Sequence, residues 1–127
     1  MREFTHLSLL NQEWKERLEV YEQVHLGTDA HEASNQERSE KDMHNQTEFV
    51  YGEIVFLYFV PLLEYVKPKP GEIFWDLGCG AGKPLITASL AYPELKVCKG
   101  IELLDNLVIL GRQIADNQKK LCQERNI

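Results

Sequence analysis

The sequence predicts an α/β fold in which a parallel β-α-β-α unit follows an N-terminal helical region. Two short apolar segments, residues 73 to 75 and 96 to 101, have the length of strands, and each precedes a segment with helical periodicity. Three alternating glycines separate the first strand from its helix. This order of elements predicts two parallel strands joined by a right-handed crossover.

The composition is that of a single globular domain. The chain has 127 residues, of which 43% are hydrophobic and 27% are charged, and this length favours one hydrophobic core. A net charge of −6 argues against a nucleic-acid site in this segment. We expect no membrane span, because the longest apolar stretch, residues 54 to 66, is interrupted and shorter than the ~20 residues a span requires. The N-terminus does not resemble a secretory signal, so we expect an intracellular protein with reduced cysteines.

The N-terminal region, residues 1 to 47, is predicted to be an amphipathic helix followed by a polar linker or lid. Apolar residues recur three or four positions apart over residues 7 to 26, and Gly27 is placed to end this helix. Residues 28 to 47 carry few apolar side chains, so they have little to bury and we expect them to be solvated, with room for helical turns around residues 37 to 43. Residues 48 to 127 form the predicted second region.

The second region is predicted to begin with an apolar helix. This helix covers residues 54 to 66, and we expect it to be mostly buried, with Pro61 bending or interrupting it. Residues 67 to 71 hold two prolines and a glycine, which predict a turn before the first strand. Helices are predicted over residues 84 to 91 and from Leu104 to the end of the chain.

The glycine loop after the first strand departs from two nucleotide-binding patterns at identifiable positions. A phosphate-binding P-loop needs a glycine where Leu77 stands and a hydroxyl residue where Pro84 stands. A dinucleotide fingerprint needs its third glycine where Lys83 stands. The pattern that remains, D-x-G-x-G-x-G after a strand, is the one that S-adenosylmethionine (SAM) dependent methyltransferases use. We therefore predict a partial Rossmann-like class I methyltransferase fold with SAM as its cofactor.

The predicted cofactor site combines this loop with the acid that ends the second strand. The glycines let the backbone approach a ligand closely, and the carboxylate of Asp76 can face the cationic methionine end. Glu102 can accept hydrogen bonds from both ribose hydroxyls, each worth ~1.5–3 kcal/mol when shielded from water. The predicted contacts in this part of the chain are Asp76, Gly78, Cys79, Gly80, Gly82, Lys83, Glu102 and Leu103.

Three segments of the chain together match the motifs of one family. They read FVYGE at residues 49 to 53, FWDLGCGAGK at 74 to 83 and GIE at 100 to 102. With them, residues 48 to 115 resemble the disruptor-of-telomeric-silencing type of histone lysine methyltransferase.

The resemblance implies both a substrate and further site residues. It implies that Tyr51 and Glu53 line the cofactor or lysine channel and that the substrate is a protein, with a core histone as the leading candidate. A histone-directed enzyme implies a nuclear location, and another substrate a cytoplasmic one. Val50 and Lys83 depart from the threonine and glutamine that are common in the family.

Neither catalytic residues nor metal ligands are predicted. In-line methyl transfer depends mainly on positioning, and no residue of the sequence identifies a base for the substrate lysine. The histidines lack a ligand spacing with cysteines or carboxylates. Because a complete class I methyltransferase has further strands, we expect a fragment or a truncated product. Three functions stay open: a protein-lysine methyltransferase, a methyltransferase of another substrate class, and a non-catalytic SAM-binding or interaction module.

Overall fold

The computed structural model describes residues 12 to 43, 46 and 52 to 126, which form a mixed α/β structure. In chain order its elements are α1 (Gln12–His25), α2 (Ala30–Glu40), α3 (Phe56–Val66), β1 (Ile73–Leu77), α4 (Lys83–Ala91), β2 (Val97–Ile101) and α5 (Asp105–Arg125). The predicted order strand, helix, strand, helix is therefore present from β1 onward. Gly27 follows α1 with φ +75, as expected of a residue that ends a helix.

The sheet consists of β1 and β2, which pair in parallel as predicted. The register runs from Ile73 opposite Val97 to Leu77 opposite Ile101. The first strand continues two residues beyond the predicted end, because Asp76 and Leu77 still pair with β2 before the glycine loop begins.

The two faces of the sheet have different surroundings. Helix α4 packs on one face, where Phe74 and Cys98 are partly buried against the core. The opposite face exposes large apolar side chains, with Trp75 53% and Leu77 77% exposed. The Lys99 ammonium lies 5.3 Å from the centre of the Trp75 ring on this open face. The sheet is thus covered on one side by the described elements.

The helices pack together around a mainly aliphatic core that includes an aromatic cluster from α1 and α3. Helix α1 packs against α4 and α5, α2 packs against α5, and α3 packs against α4. Phe56 of α3 is 2% exposed, and its ring centre lies 5.1 Å from that of Tyr21 and 6.4 Å from that of Trp14. Arg17 is also buried, with its guanidinium 5.0 Å from the Trp14 ring and a hydrogen bond of 3.4 Å donated to the carbonyl of Ala91. These contacts join α1, α3 and α4.

Helix α2 corrects the prediction that residues 28 to 47 are a solvated linker. Asp29 caps the helix by accepting a hydrogen bond of 2.9 Å from the Glu32 N–H. One face of the helix is buried against α5, and it includes Ser34 at 0% and Glu37 at 2% exposure. A search for large apolar residues at helical spacing misses this face, because its buried residues are Ala30, Ser34 and Glu37. The division of the chain at residue 47 stays a prediction, and α2 packs against an element from beyond it.

Helix α3 corrects two further predictions. Pro61 does not interrupt it, although the expected bend stays a prediction, and about half of its apolar side chains are exposed rather than buried. The exposed ones are Leu57, Tyr58, Leu62, Tyr65 and Val66. Pro61 has no N–H to donate to the carbonyl of Leu57, a residue that is 47% exposed. Although α3 is strongly apolar, no helix in the described ranges has both the length and the apolar character needed to cross a membrane.

Two isoleucines of α5 test the orientation of this helix. Ile114 is 1% exposed and Ile109 is 54% exposed. We expect I114V to lower the free energy of unfolding by about 0.5–1.5 kcal/mol, since it removes a buried methylene group. The matched variant I109V should change it by less than about 0.5 kcal/mol. Urea denaturation measures both, and equal effects would contradict the buried face of α5.

Candidate functional site

The turn between β1 and α4 depends on glycine. Gly78, Gly80 and Gly82 have φ values of +80, +56 and +88, a region that side-chain-bearing residues rarely adopt. The N–H groups of Gly78 and Cys79 donate to the carbonyl of Ile101 at 2.8 and 3.0 Å. The loop is thereby anchored to the carboxyl end of β2, the sheet edge where ligands of open α/β folds bind.

Glu102 joins this loop to the start of α5. Its Oε2 accepts a hydrogen bond from the Gly80 N–H at 2.9 Å. Its Oε1 accepts from the N–H groups of Leu103 at 2.8 Å and Leu104 at 2.9 Å. A carboxylate has about four acceptor positions, and here backbone groups use three of them. Binding both hydroxyls of a ribose would therefore require Glu102 to release at least one N–H group.

Negative charge is concentrated beside the loop. Asp76 lies at the end of β1, opposite Gly100 in the register. Burial raises the pKa of the Asp76 carboxyl, and the charge of Glu102 raises it further. Burial likewise raises the pKa of the Cys79 thiol, with added contributions from Asp76 and Glu102. A protonated thiol is a poor nucleophile, so the raised pKa argues against a catalytic Cys79. The two neighbouring carboxylates favour a cationic ligand.

A second group of predicted site residues is an ion pair. The Lys83 ammonium lies 2.5 Å from the Glu53 carboxylate, and one fifth of each side chain is exposed. The pair links the segment before α3 to the first residue of α4. Burial raises the pKa of the nearby Tyr21 to about 12, with the charge of Glu53 as the next cause. Tyr51, the other predicted residue of this segment, lies outside the described residues.

The predicted site residues therefore fall into two groups that meet at the glycine loop. Asp76, Cys79, Gly80 and Glu102 interact with one another, and Lys83, which follows Gly82 directly, carries the ion pair with Glu53. Leu103 contributes its N–H to Glu102, while the residue itself is 72% exposed. No group of three or more His, Cys, Asp or Glu side chains in the described part of the chain is arranged to hold a metal ion.

Two glycines outside the predicted site bring β2 and α5 close to the loop. A Cβ at Gly100 would lie 2.4 Å from the sulfur of Cys79. A Cβ at Gly111 would lie 2.9 Å from the carbonyl oxygen of Ala81. Glycine is disfavoured inside strands and helices. A glycine within a predicted strand and another within a predicted helix could therefore have indicated close packing at these two positions.

A cavity of about 350 Å³ lies between α4, β2 and α5, behind the loop. Gly80, Gly82 and Glu102 contribute to its wall, together with Gln118, which donates a hydrogen bond of 2.7 Å to the Ser89 hydroxyl. Cys79 also lines it, and the other predicted site residues that the structure describes, Glu53, Asp76, Gly78, Lys83 and Leu103, do not. The cavity therefore shares the loop backbone and Glu102 with the predicted site, whereas Glu53 and Asp76 do not line it.

Comparison with known proteins identifies one family. The family model described as "Histone methylation protein DOT1" matches residues 31 to 125. A protein of Eremothecium gossypii named "Histone-lysine N-methyltransferase, H3 lysine-79 specific" is 34% identical over 85 residues, which cover 67% of this chain. The matched region covers 14% of that relative, so the chain spans a small part of its length. No solved structure matches the chain.

The close contact at Gly111 leads to a testable expectation. Alanine has a helix propensity about 1 kcal/mol better than glycine, but its methyl group would press against the backbone of Ala81. Overpacking of this kind costs about 1–3 kcal/mol, so we expect G111A to be less stable than the wild type. The control is G52A, because a Cβ at Gly52 meets nothing within 4 Å. Thermal unfolding measures both, and a G111A variant of wild-type stability would contradict the close approach.

Proposed function

The chain belongs to the DOT1 family of histone methylation proteins, and we propose that it supplies the cofactor-binding part of a SAM-dependent protein lysine methyltransferase. One observation carries the proposal. The glycine loop and Glu102 lie together at the carboxyl ends of adjacent parallel strands, where Glu102 accepts a hydrogen bond from Gly80. The name of the relative supports a core histone as the protein substrate and the nucleus as the location.

The fold that we propose for the site is a partial Rossmann-like class I methyltransferase fold. The succession β1, α4, β2 and α5, with its parallel pairing, supports this assignment. We also propose that residues 48 to 127 form the SAM-binding region and that residues 1 to 47 accompany it.

The proposed cofactor contacts fit the charge of SAM. Burial and the charge of Glu102 both disfavour an ionised Asp76, and a sulfonium cation beside these carboxylates would offset that cost. The loop glycines expose backbone to the ligand, and the ion pair of Glu53 with Lys83 offers one charge of each sign to an amino acid group. The proposed contacts are Tyr51, Glu53, Asp76, Gly78, Cys79, Gly80, Gly82, Lys83, Glu102 and Leu103.

The mechanism assigned to this chain is one of positioning. When bound, SAM supplies an electrophilic methyl group on a positively charged sulfur. Glu102 and Asp76 would hold the cofactor through its ribose and its methionine group, and the loop backbone would contact it at the sheet edge. We assign none of these residues as the proton acceptor for the substrate lysine. No described contact places any of them where that lysine would bind.

Two other functions have a specific observation in their favour. The net charge of −6 favours a methyltransferase of another substrate class, because histone and nucleosome binding normally use basic segments. The open apolar face around Trp75 favours a non-catalytic module that binds SAM and a partner protein. The experiments below distinguish these functions from the proposed one.

Titration calorimetry with SAM tests the cofactor site. We expect the wild type to bind and E102A to bind at least about tenfold more weakly, because hydrogen bonds to a shielded carboxylate are each worth ~1.5–3 kcal/mol. The control is E94A, since Glu94 is exposed in the turn before β2, away from the loop. The absence of binding by the wild type would remove the proposed function, and unchanged affinity in E102A would remove the role of Glu102.

Transfer of labelled methyl groups tests the substrate. We expect wild-type protein incubated with labelled SAM and core histones to label a histone, and E102A to label it much less because it binds SAM weakly. Lysine-specific mass spectrometry identifies the modified position. SAM binding without labelling of any protein would favour the non-catalytic module, and labelling confined to other proteins would favour another substrate class.

A further inference from the structure

A buried carboxylate of α2 lies against the first turn of α5. Glu37 is 2% exposed, and its Oε1 accepts a hydrogen bond of 3.0 Å from the Asp105 N–H. Its Oε2 accepts a hydrogen bond of 2.6 Å from the Asn106 N–H. The first N–H groups of a helix have no acceptor within the helix, so Glu37 satisfies two of them from another element.

Glu37 takes the place of the capping side chain that α5 lacks. The N-cap position holds Leu104, whose side chain forms no capping hydrogen bond. The Lys41 ammonium lies 2.5 Å from the carboxylate of Glu37 and compensates the buried negative charge of Glu37. A further hydrogen bond of 3.4 Å runs from the Asn106 side chain to the carbonyl of Ala33. Helix α2 is therefore joined to the start of α5 by several polar contacts.

The same turn also carries Glu102. The N–H groups of Leu103 and Leu104 donate to Glu102, and the next two along the chain, those of Asp105 and Asn106, donate to Glu37. Four consecutive N–H groups are thus divided between two carboxylates, one at the end of β2 and one on α2. A displacement of α2 would move the turn and change the direction of the Glu102 side chain.

We propose that Glu37 is a positioning residue for Glu102: by capping α5 from α2, it fixes the turn that directs the Glu102 carboxylate toward the glycine loop. The proposal rests on the proposed function, because the Glu102 carboxylate is positioned for cofactor binding. It gives α2 a role in the site although the helix contributes no proposed cofactor contact.

Hydrogen exchange tests the positioning without a ligand. In E37Q, where one oxygen is replaced by an amide group that cannot accept, we expect the amides of residues 103 to 106 to exchange at least about tenfold faster than in the wild type. The amides of β1 should be unaffected. The control E32Q changes an exposed side chain of the same helix and should behave as the wild type. Unchanged exchange at residues 103 to 106 would overturn the proposal.

A second pair of variants keeps Glu37, and one member of the pair removes one of its donors. D105P lacks the N–H at the first position of α5, where proline is well tolerated. Leu104 already has the extended conformation that a residue before proline prefers, with φ −83 and ψ 114. The matched control D105A removes the same side chain but retains the N–H. We expect faster exchange of the turn in D105P than in D105A, and equal rates would count against the proposal even if E37Q fails to fold.

SAM affinity distinguishes positioning from a general effect on stability. We expect E37Q to weaken binding about tenfold in the wild-type background, which corresponds to about 1.4 kcal/mol, and less than about twofold in the E102Q background. An equal loss in both backgrounds would show that Glu37 does not act through Glu102. If the wild type binds no SAM, the proposed function fails, while the exchange experiments still decide whether Glu37 fixes the turn.

Discussion

Two carboxylates divide four consecutive backbone N–H groups, and this arrangement holds the parts of the candidate site together. Glu102 takes the first two and also accepts from Gly80, which ties the glycine loop to the turn after β2. Glu37 takes the next two, which ties the turn to α2. Unsatisfied N–H groups are costly when they are buried, so the two acids constrain the direction in which α5 leaves the sheet. The loop, the turn and α2 consequently behave as one unit.

The charges of the two acids are compensated in different ways. Glu37 is almost fully buried; its burial would raise the pKa of its carboxyl, but hydrogen bonds from Lys41, Asn106 and Asp105 lower it below its ordinary value. Glu102 has no cationic partner among its described contacts, and its charge adds to burial in raising the pKa of Asp76. One acid is therefore satisfied within the protein, and the other leaves an excess of negative charge beside the loop. Glu37 therefore makes a structural contact, whereas the surroundings of Glu102 suit a cationic ligand.

The sequence predicted the sheet and the loop well, because both follow from local patterns. Short apolar segments, alternating glycines and Glu102 at the end of a strand each require only a few neighbouring residues. The packing of α2 could not be predicted in this way, since Glu37 meets its donors on a helix 68 or 69 residues further along the chain. The exposure of α3 was missed for a related reason. An apolar sequence shows that a helix can be buried, but which elements pack over it depends on residues far away in the chain. Among the three N–H partners of Glu102, only Gly80 is distant in the chain, at 22 residues, and the fold alone brings it to the carboxylate.

The unequal coverage of the sheet has a spectroscopic consequence. Trp14 is 6% exposed within the helical layer, whereas Trp75 is 53% exposed on the open sheet face beside Lys99. Emission from a buried indole and from a hydrated one differs in wavelength and in its access to quenchers. The intrinsic fluorescence of this protein therefore contains two separable components, one for the packing of α1 and one for whatever approaches the open face of β1.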